Sequence, residues 1–275
     1  RGAQMPGRLV GKVAVITGAT SGIGAATARH FVAEGARVVI AGRSAERGNA
    51  LAEELGPQAA FHRADVMHEA EIAAVIDAAV GRFGKLDCLF NNAGASTPGE
   101  ITTITEEQFD YGMKLLVGSV MFGIKHAARV MNAGSGSIIN NSSIAAHRLG
   151  QGGMLYSAAK AAVSHVTRIA AAQLGSSGIR VNSISPGAIA TPIFWGGSAK
   201  AQTLSAEDNE RKFAKLQGNL ARATPLPRSG IADDIAYAAV FLASDEGSFV
   251  NAHDLVVDGG RIAQFHERPP PDTKP

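Results

Sequence analysis

A tyrosine and a lysine four residues apart are the side chains of this sequence best suited to chemistry. Tyr156 and Lys160 stand at i and i+4 of a predicted helix, so both project from one face. A phenol near pKa 10 is a poor acid or base at neutral pH, but a neighbouring ammonium favours the phenolate and lowers that pKa. The pair therefore suits general acid–base catalysis on a substrate oxygen. Ser143, in a predicted loop, offers a hydroxyl that can orient the same oxygen. Taken alone, each of these residues is better explained by a structural role than by catalysis. Only the three together, at this spacing, favour a catalytic role.

A glycine-rich turn joins the first predicted strand to the first predicted helix. Gly18, Gly22 and Gly24 follow the apolar run 12–17 with the spacing G-x-x-x-G-x-G. Glycines let the backbone turn tightly and approach a phosphate, and the N–H groups at a helix N-terminus favour an anion. The turn indicates a dinucleotide site, and the alternative for such a turn alone is a tight connection without a ligand.

The composition is that of a globular chain with nearly balanced charge. The 275 residues are 45% hydrophobic and 18% charged, with 26 Lys and Arg against 24 Asp and Glu. These values exclude low-complexity disorder, and a net charge of +2 is too small to indicate nucleic acid or an anionic membrane as partner. No apolar run is long enough for a membrane span and the opening residues lack a secretory h-region, so we expect a cytoplasmic protein.

The single cysteine and the scattered histidines do not predict a metal centre. Cys88 excludes an internal disulfide and is expected to be a small core residue of a strand. His30, His126 and His165 lie on predicted helices without ligand spacing, so no metal is expected. His147, four residues after Ser143, is interpreted either as a solvated loop residue or as a side chain that faces the substrate.

Short β-branched runs alternate with longer Ala-rich segments of helical period. This alternation predicts βαβ crossovers and hence an α/β fold, a doubly wound parallel sheet of about seven strands. We expect one domain from 8 to 262, with a substrate lid at about 193–226 and a poorly ordered, proline-rich tail at 263–275. The predicted strands are 12–17, 37–41, 59–63, 86–91, 137–141, 180–185 and 254–257, and the predicted helices are 22–34, 45–55, 69–83, 106–131, 155–174, 207–220 and 233–243.

Three further motifs complete a pattern. Asn91-Asn92-Ala93-Gly94 ends the fourth strand, Pro186-Gly187 follows a later one, and Asp258-Gly259-Gly260 closes the last. With the glycine turn and Tyr156-x-x-x-Lys160, this order resembles the single-domain short-chain dehydrogenases/reductases over 10–260. The resemblance implies a nicotinamide-dependent oxidoreductase of a secondary alcohol or its ketone, with Ser143, Tyr156 and Lys160 as catalytic residues. It also implies a small-molecule substrate and a homo-oligomer, either a dimer or a tetramer.

The resemblance also implies the cofactor contacts. A carboxylate after the second strand would grip the ribose 2′-hydroxyl of NAD, whereas this chain has Gly42 and then Arg43, which can pair with a 2′-phosphate. NADP is therefore favoured, and NAD stays open because Arg43 could instead stack on adenine. The implied cofactor-binding residues are Gly18, Ser21, Gly22, Ile23, Gly24, Arg43, Asp65, Val66, Asn92, Ala93, Gly94, Tyr156, Lys160, Pro186, Gly187, Ile189 and Thr191.

One position departs from the family pattern. The family usually has an asparagine in the helix after the fourth strand, where it helps to hold a water that links the lysine to solvent, and counting without a gap places Leu116 there. Three interpretations follow: a slow or specialised enzyme, a cofactor-binding module with weak or lost catalysis, or an error of register.

The substrate class rests on apolar residues near the predicted site. Leu149, Met154 and Leu155, with the cluster 193–195, favour an apolar substrate, and a cyclic one is among the candidates. The cluster Ile193-Phe194-Trp195 is interpreted either as packing between lid and core or as a pocket wall. A sugar or an acyl thioester remains the alternative substrate.

Overall fold

The computed structural model describes residues 7–131, 134–187, 189–195 and 203–264, and its seven strands form one parallel sheet. The spatial order is β3-β2-β1-β4-β5-β6-β7. The predicted doubly wound α/β fold is confirmed, and every predicted strand lies within two residues of an observed one. The strands are β1 Val13–Thr17, β2 Arg37–Gly42, β3 Ala59–Arg63, β4 Cys88–Asn91, β5 Gly136–Asn141, β6 Ile179–Pro186 and β7 Asp254–Val257.

Helices cover both faces of this sheet. One core layer packs under α1 and α8 and the other under α3, α5 and α6, as fully buried parallel strands require. None of the helices in the described ranges is long and apolar enough to cross a membrane. The α-helices of the described ranges are α1 Gly22–Ala33, α2 Ala45–Leu55, α3 Glu69–Phe83, α4 Glu106–Met113, α5 Ser119–Val130, α6 Met154–Leu174, α7 Ala206–Arg222 and α8 Ala232–Ala243.

The helix predicted over 106–131 is present from 106 to 130, but it contains an irregular turn. A π-helical turn, Lys114–Gly118, separates α4 from α5. The Ser119 hydroxyl donates a 2.6 Å hydrogen bond to the Leu115 carbonyl, a bond to the i−4 oxygen of the kind that disturbs a helical ladder. Such turns concentrate at functional sites, and this one contains Leu116.

The sheet reverses its strand order between β1 and β4. The connections that follow these two strands run to opposite faces, which opens a crevice at the carboxyl edge of the sheet. The predicted lid is described only in part: α7 extends the predicted helix 207–220 by a few residues, whereas 196–202 lie outside the described residues. Of the predicted tail 263–275, residues 265–275 also lie outside them.

Buried amides connect the central strands to the helices on one face. Asn91 on β4 donates a 2.9 Å hydrogen bond to the side-chain oxygen of Asn140 on β5, which in turn donates to the Thr167 hydroxyl of α6 at 2.9 Å. On α5, Gly123 faces this pair so closely that a Cβ there would lie 2.2 Å from the Asn91 amide oxygen. The amide chain therefore fixes how near α5 can approach the sheet.

Gly123→Ala is accordingly expected to lower the free energy of unfolding by about 1–3 kcal/mol, the usual cost of overpacking a close-packed site. Gly81→Ala is the matched control, because this helical glycine of α3 has open space where its Cβ would be. The control should raise stability by up to about 1 kcal/mol through helix propensity. Urea denaturation of both variants at constant m-value measures the difference, and equal stabilities would contradict the assigned packing.

Candidate active site

A cavity of about 890 Å³ occupies the crevice at the carboxyl edge of the sheet. It extends from the glycine turn to the beginning of α6, and so brings together residues that lie far apart in sequence. Of the predicted site residues, its walls contain Gly18, Ser21, Gly22, Ile23, Arg43, Asp65, Val66, Asn92, Ala93, Gly94, Ser143, Tyr156, Lys160, Pro186, Gly187, Ile189 and Thr191.

The glycine turn is shaped by two close approaches. Gly18 has φ +64°, and a Cβ there would lie 2.7 Å from the Ala93 backbone. Gly24, which was predicted as a cofactor contact, does not line the cavity. A Cβ on Gly24 would lie 2.5 Å from the Gly18 carbonyl oxygen, and this glycine therefore lets α1 pack against the turn.

The N-terminus of α1 is open toward the cavity. Its N-cap Ser21 makes no side-chain capping bond within the described residues, whereas Ser44, Thr105 and Ser205 each cap their helices with a side-chain oxygen. First-turn N–H groups that face a cavity and lack a side-chain cap are suited to an anion. The turn and this helix end thus fit the pyrophosphate of a dinucleotide.

Two arginines stand where β2 meets α2. Arg43 was predicted, whereas Arg47, which also lines the cavity, was missed. Burial lowers the pKa of Arg47, Glu46 opposes that shift, and the charge of Arg43 lowers the pKa further. The i, i+4 spacing of Arg43 and Arg47 was the available signal. The sequence alone does not show that this part of α2 lines the cavity, so Arg47 was not predicted.

The predicted adenine contact Asp65 lies on the turn after β3. One of its carboxylate oxygens accepts a 3.0 Å hydrogen bond from the Met67 backbone N–H, and its own N–H donates to Glu71 at 2.8 Å. The carboxylate is thus held at the cavity wall by its own turn, beside the predicted Val66.

Asn92 ties the glycine turn to the middle of the sheet. Its amide nitrogen donates to the carbonyl oxygens of Thr17 at 3.0 Å and Gly18 at 3.3 Å. The Thr17 hydroxyl accepts from the backbone N–H groups of Asn92 and Ala93 at 3.0 and 3.1 Å. These bonds hold the ends of β1 and β4 together at the point where the sheet reverses.

The end of β5 faces the first turns of α6. The Ser143 hydroxyl accepts from the Ala145 backbone N–H at 3.1 Å and lies close enough to the Tyr156 phenol to influence its pKa. Burial raises the pKa of Tyr156, and the Ser143 hydroxyl opposes that shift. The sequence-based expectation of a lowered pKa is therefore corrected for the protein alone. The Lys160 ammonium lies 5.6 Å from the centre of the Tyr156 ring and donates elsewhere.

Lys160 is a buried cation, only 5% exposed. Its Nζ donates a 2.6 Å hydrogen bond to the backbone carbonyl oxygen of Asn141, a residue that sequence reasoning missed. Burial lowers the pKa of Lys160 to about 8. The ammonium thus stays mostly charged at neutral pH, although its surroundings penalise that charge.

Sequence comparisons with known proteins identify the family of this chain. A family model described as enoyl-(acyl carrier protein) reductase matches residues 18–261. Momilactone A synthase from Oryza sativa subsp. japonica is 45% identical over 259 residues, which cover 92% of this chain and 90% of the relative. (+)-Borneol dehydrogenase 2 from Salvia officinalis is 40% identical and covers 96% of this chain and 93% of its own length. Short-chain dehydrogenase reductase 3a from Arabidopsis thaliana is 39% identical, with 92% and 96% covered.

The chain belongs to the short-chain dehydrogenase/reductase family. Members of this family use NAD or NADP, and the relatives carry the names of dehydrogenases, reductases and a synthase. The protein is thus an NAD(P)-dependent oxidoreductase that interconverts alcohols and carbonyl compounds.

Leu116 lies beside the lysine of this short-chain dehydrogenase. It is 1% exposed, within the π-helical turn. A Cβ built on Gly94 would lie 3.3 Å from the Leu116 side chain and 3.9 Å from Lys160 Nζ. Both side chains therefore lie next to the Gly94 backbone. The position that gap-free counting matches to the family asparagine is therefore apolar and close to the lysine here.

The substrate end of the cavity differs from the sequence-based expectation. Leu149, Met154 and Leu155 do not line it. Leu149 is 92% exposed on its loop, and the buried Leu155 instead packs against Gly112 of α4. Ile193 and Phe194 line the cavity as one interpretation predicted, and the side chain of Trp195 lies outside the described part of the chain. The apolar wall that sequence reasoning missed is formed by Tyr111, Leu115, Ile144 and Leu220.

His147 and Cys88 are structural in this enzyme. His147 is outside the cavity wall and lies 3.0 Å from the Asp254 carboxylate and 3.2 Å from the Ser185 hydroxyl. Cys88 is buried as expected, and burial raises the pKa of its thiol to about 12. Within the described residues, no group of three potential ligand side chains could hold a metal ion.

Lys160→Met is expected to stabilise the protein. Burial of the charge corresponds to a pKa shift from 10.5 to about 8, so its removal should raise the free energy of unfolding at pH 7 by up to about 3 kcal/mol. The gain should be complete below pH 8 and shrink as pH rises toward 10.5, because in that window the folded wild type binds fewer protons than the unfolded chain. Thermal unfolding across this pH range is the measurement. The exposed Lys125→Met is the control, and a destabilised Lys160→Met protein would show that the ammonium is not penalised.

Proposed function

We propose that this enzyme transfers hydride between NADP and a secondary alcohol or its ketone, with Tyr156 as general acid and base. The observation that carries the proposal is that Ser143, Tyr156 and Lys160 meet in the wall of the cavity that begins at the glycine turn. A bound nicotinamide ring supplies or accepts the hydride. A single catalytic domain from residue 8 to 262, with the lid at about 193–226, belongs to the same proposal.

The three side chains divide the proton chemistry. In the reductive direction the Tyr156 hydroxyl donates its proton to the substrate carbonyl oxygen, and in the oxidative direction the phenolate takes the proton of the alcohol. The Ser143 hydroxyl hydrogen-bonds the same oxygen and orients it. The Lys160 ammonium stabilises the phenolate electrostatically, which offsets the burial that raises the pKa of Tyr156.

Tyr156→Phe tests this assignment because it removes only the hydroxyl. Turnover should fall by roughly 10²–10⁴-fold, the usual contribution of a positioned acid or base, while cofactor affinity stays nearly unchanged. Steady-state kinetics across a panel of alcohols and ketones, together with cofactor titration, measures both. Tyr237→Phe is the control, because that tyrosine is exposed on α8. Turnover in Tyr156→Phe that matches the wild type would disprove the mechanism.

The cavity end beside β2 supports NADP. Gly42 offers no carboxylate that would repel a 2′-phosphate, and Arg43 and Arg47 line the same wall. The charge of one guanidinium lowers the pKa of the other, so the pair gains from an anion placed between them. A 2′-phosphate is the part of NADP that supplies such an anion, and a charge-assisted contact with arginine suits it.

Arg43→Ala should therefore weaken NADPH binding selectively, by roughly tenfold to a hundredfold, which corresponds to about 1.5–3 kcal/mol. NADH binding should change little, and Gly42→Asp should reverse the preference. Fluorescence titration of both reduced cofactors measures this, with the exposed Arg168→Ala as control. Equal affinity of the wild type for both cofactors, with no selective loss in Arg43→Ala, would move the assignment to NAD or to both.

An apolar and cyclic substrate fits the apolar lining of the cavity. Leu115, Ile144, Ile193, Phe194 and Leu220 line the same cavity as the polar catalytic groups. Two relatives carry the names of momilactone A and (+)-borneol, the second being a bicyclic secondary alcohol. Both observations favour a bulky apolar ring system over a sugar.

We also propose a homo-oligomer, a dimer or a tetramer. Phe109 on α4, Met121 on α5 and Ile169 on α6 are exposed large apolar side chains of neighbouring helices. Apolar side chains grouped on one surface favour association with a second copy.

A further inference from the structure

The ammonium of Lys160 has more donors than its surroundings satisfy. An ammonium carries three N–H donors, and within the described residues Nζ makes one hydrogen bond, to the Asn141 carbonyl oxygen. The neighbouring side chains of Leu115, Leu116 and Ala159 are apolar and buried. A buried cation with unsatisfied donors is costly unless polar groups surround it.

Asn141 has a buried acceptor that lacks a donor among the described residues. Its amide nitrogen donates to the Asn92 side-chain oxygen at 2.9 Å, and its own side-chain oxygen Oδ1 is buried without a hydrogen-bond partner among the described residues. The orientation of this amide is determined by its neighbours. The Asn92 nitrogen already donates to the Thr17 and Gly18 carbonyl oxygens, so the Asn92 oxygen must accept and Asn141 must present its nitrogen.

Asn141 thus offers two acceptors around one lysine. Its backbone oxygen contacts Nζ directly, and its side-chain oxygen belongs to the same residue, so one bridging water would join that oxygen to Nζ. Such a water would satisfy an unpaired donor and an unpaired acceptor at once. Asn141 also lines the cavity, from which such a water would reach the lysine.

We propose that Asn141 is the positioning residue for Lys160, its backbone oxygen holding the ammonium directly and its side-chain oxygen through one water, beside the apolar Leu116. This inference rests on the proposed function, in which Lys160 acts on Tyr156. The same amide is tied through Asn92 to Thr17 and Gly18, so the position of the lysine is fixed relative to the glycine turn.

Charge placed on this amide tests the geometry without any turnover. Asn141→Asp puts a carboxylate within one water of Nζ, and it should raise the pKa of Lys160 from about 8 to about 9 or higher, tenfold or more in its acid dissociation constant. NMR titration of the cofactor-free protein with ¹³C-labelled lysine side chains measures it, and the Lys160 signal is identified by its loss in Lys160→Met. Tyr156 is the titratable side chain whose ring faces Nζ, so the titration is repeated in Tyr156→Phe.

Asn251→Asp is the matched control. It adds the same charge on the segment before β7, where the side chain accepts from the Val181 backbone N–H at the opposite edge of the sheet. The control should leave the Lys160 titration unchanged. Equal shifts of the Lys160 pKa in Asn141→Asp and Asn251→Asp would overturn the inference.

Moving the amide tests the function of the position. Asn141→Leu keeps the backbone carbonyl but removes the side-chain oxygen, and kcat should fall on the order of tenfold to a hundredfold with a shifted pH profile, while the KM for cofactor changes less. The double variant Asn141→Leu with Leu116→Asn should recover much of that loss. A double variant no faster than Asn141→Leu, or an Asn141→Leu protein with wild-type kcat and pH profile, would overturn the inference.

The remaining outcomes are also decisive. If the Asn141 variants do not fold, Leu116→Asn alone decides: an unchanged kcat and pH profile supports a lysine already held, and a severalfold rise in kcat overturns the inference. Failure of the proposed function looks different, because the wild type would then show no turnover with any alcohol or ketone. The pKa comparison in the cofactor-free protein would still decide the role of Asn141.

Discussion

The burial of a charged lysine is the constraint on which the rest of the site depends. Lys160 projects from α6 into a buried region, and three consecutive residues at the end of β5 compensate for the loss of solvent contact. Asn141 accepts from the ammonium, the Ser142 hydroxyl donates to the Lys160 backbone oxygen at 3.0 Å, and Ser143 contacts the Tyr156 phenol. One strand end thus fixes a helix in depth, rotation and register. A displacement of α6 would break all three contacts together. The geometry of the catalytic side chains therefore depends on how α6 packs against the end of β5.

The contacts extend from this strand end to the cofactor side of the cavity. Asn141 bonds Asn92, and Asn92 bonds the Thr17 and Gly18 carbonyl oxygens, across the three central strands β5, β4 and β1. Each of these residues stands at the carboxyl end of its strand, where the pairing of the parallel sheet ceases and backbone groups need other partners. Side-chain amides supply those partners. The side-chain amides that bond the backbone at the carboxyl ends of these strands therefore also form part of the cavity wall.

The sequence was sufficient for the fold because the strands are short, β-branched and separated by long helical segments. That pattern leaves few alternatives to parallel crossovers, and the catalytic set was found because its spacing places Tyr156 and Lys160 on one helix face. Other features depend on contacts distant in sequence. Gly24 resembles its neighbouring glycines but packs against the Gly18 carbonyl, and Leu155 adjoins Tyr156 in sequence but faces α4. Arg47 and Asn141 lie inside regular elements, where only the assembled sheet shows which face lines the cavity.

The polar Asn141 and the apolar Leu116 beside Lys160 indicate how this site accepts a substitution at one position when another position supplies the acceptor. An amide at 116 would approach Nζ from the π-helical turn, whereas the amide at 141 approaches from the sheet, on the residue whose carbonyl already holds the lysine. A buried ammonium needs hydrogen-bond acceptors, but no particular residue has to supply them. Either the π-helical turn or β5 can therefore provide the acceptor. The sheet is the more rigid support, since Asn141 is braced by Asn92 and by the pairing of β5 with β6. The apolar Leu116 is then free to pack beside the lysine, so the strand supplies the acceptors of the buried ammonium and the π-helical turn supplies apolar packing.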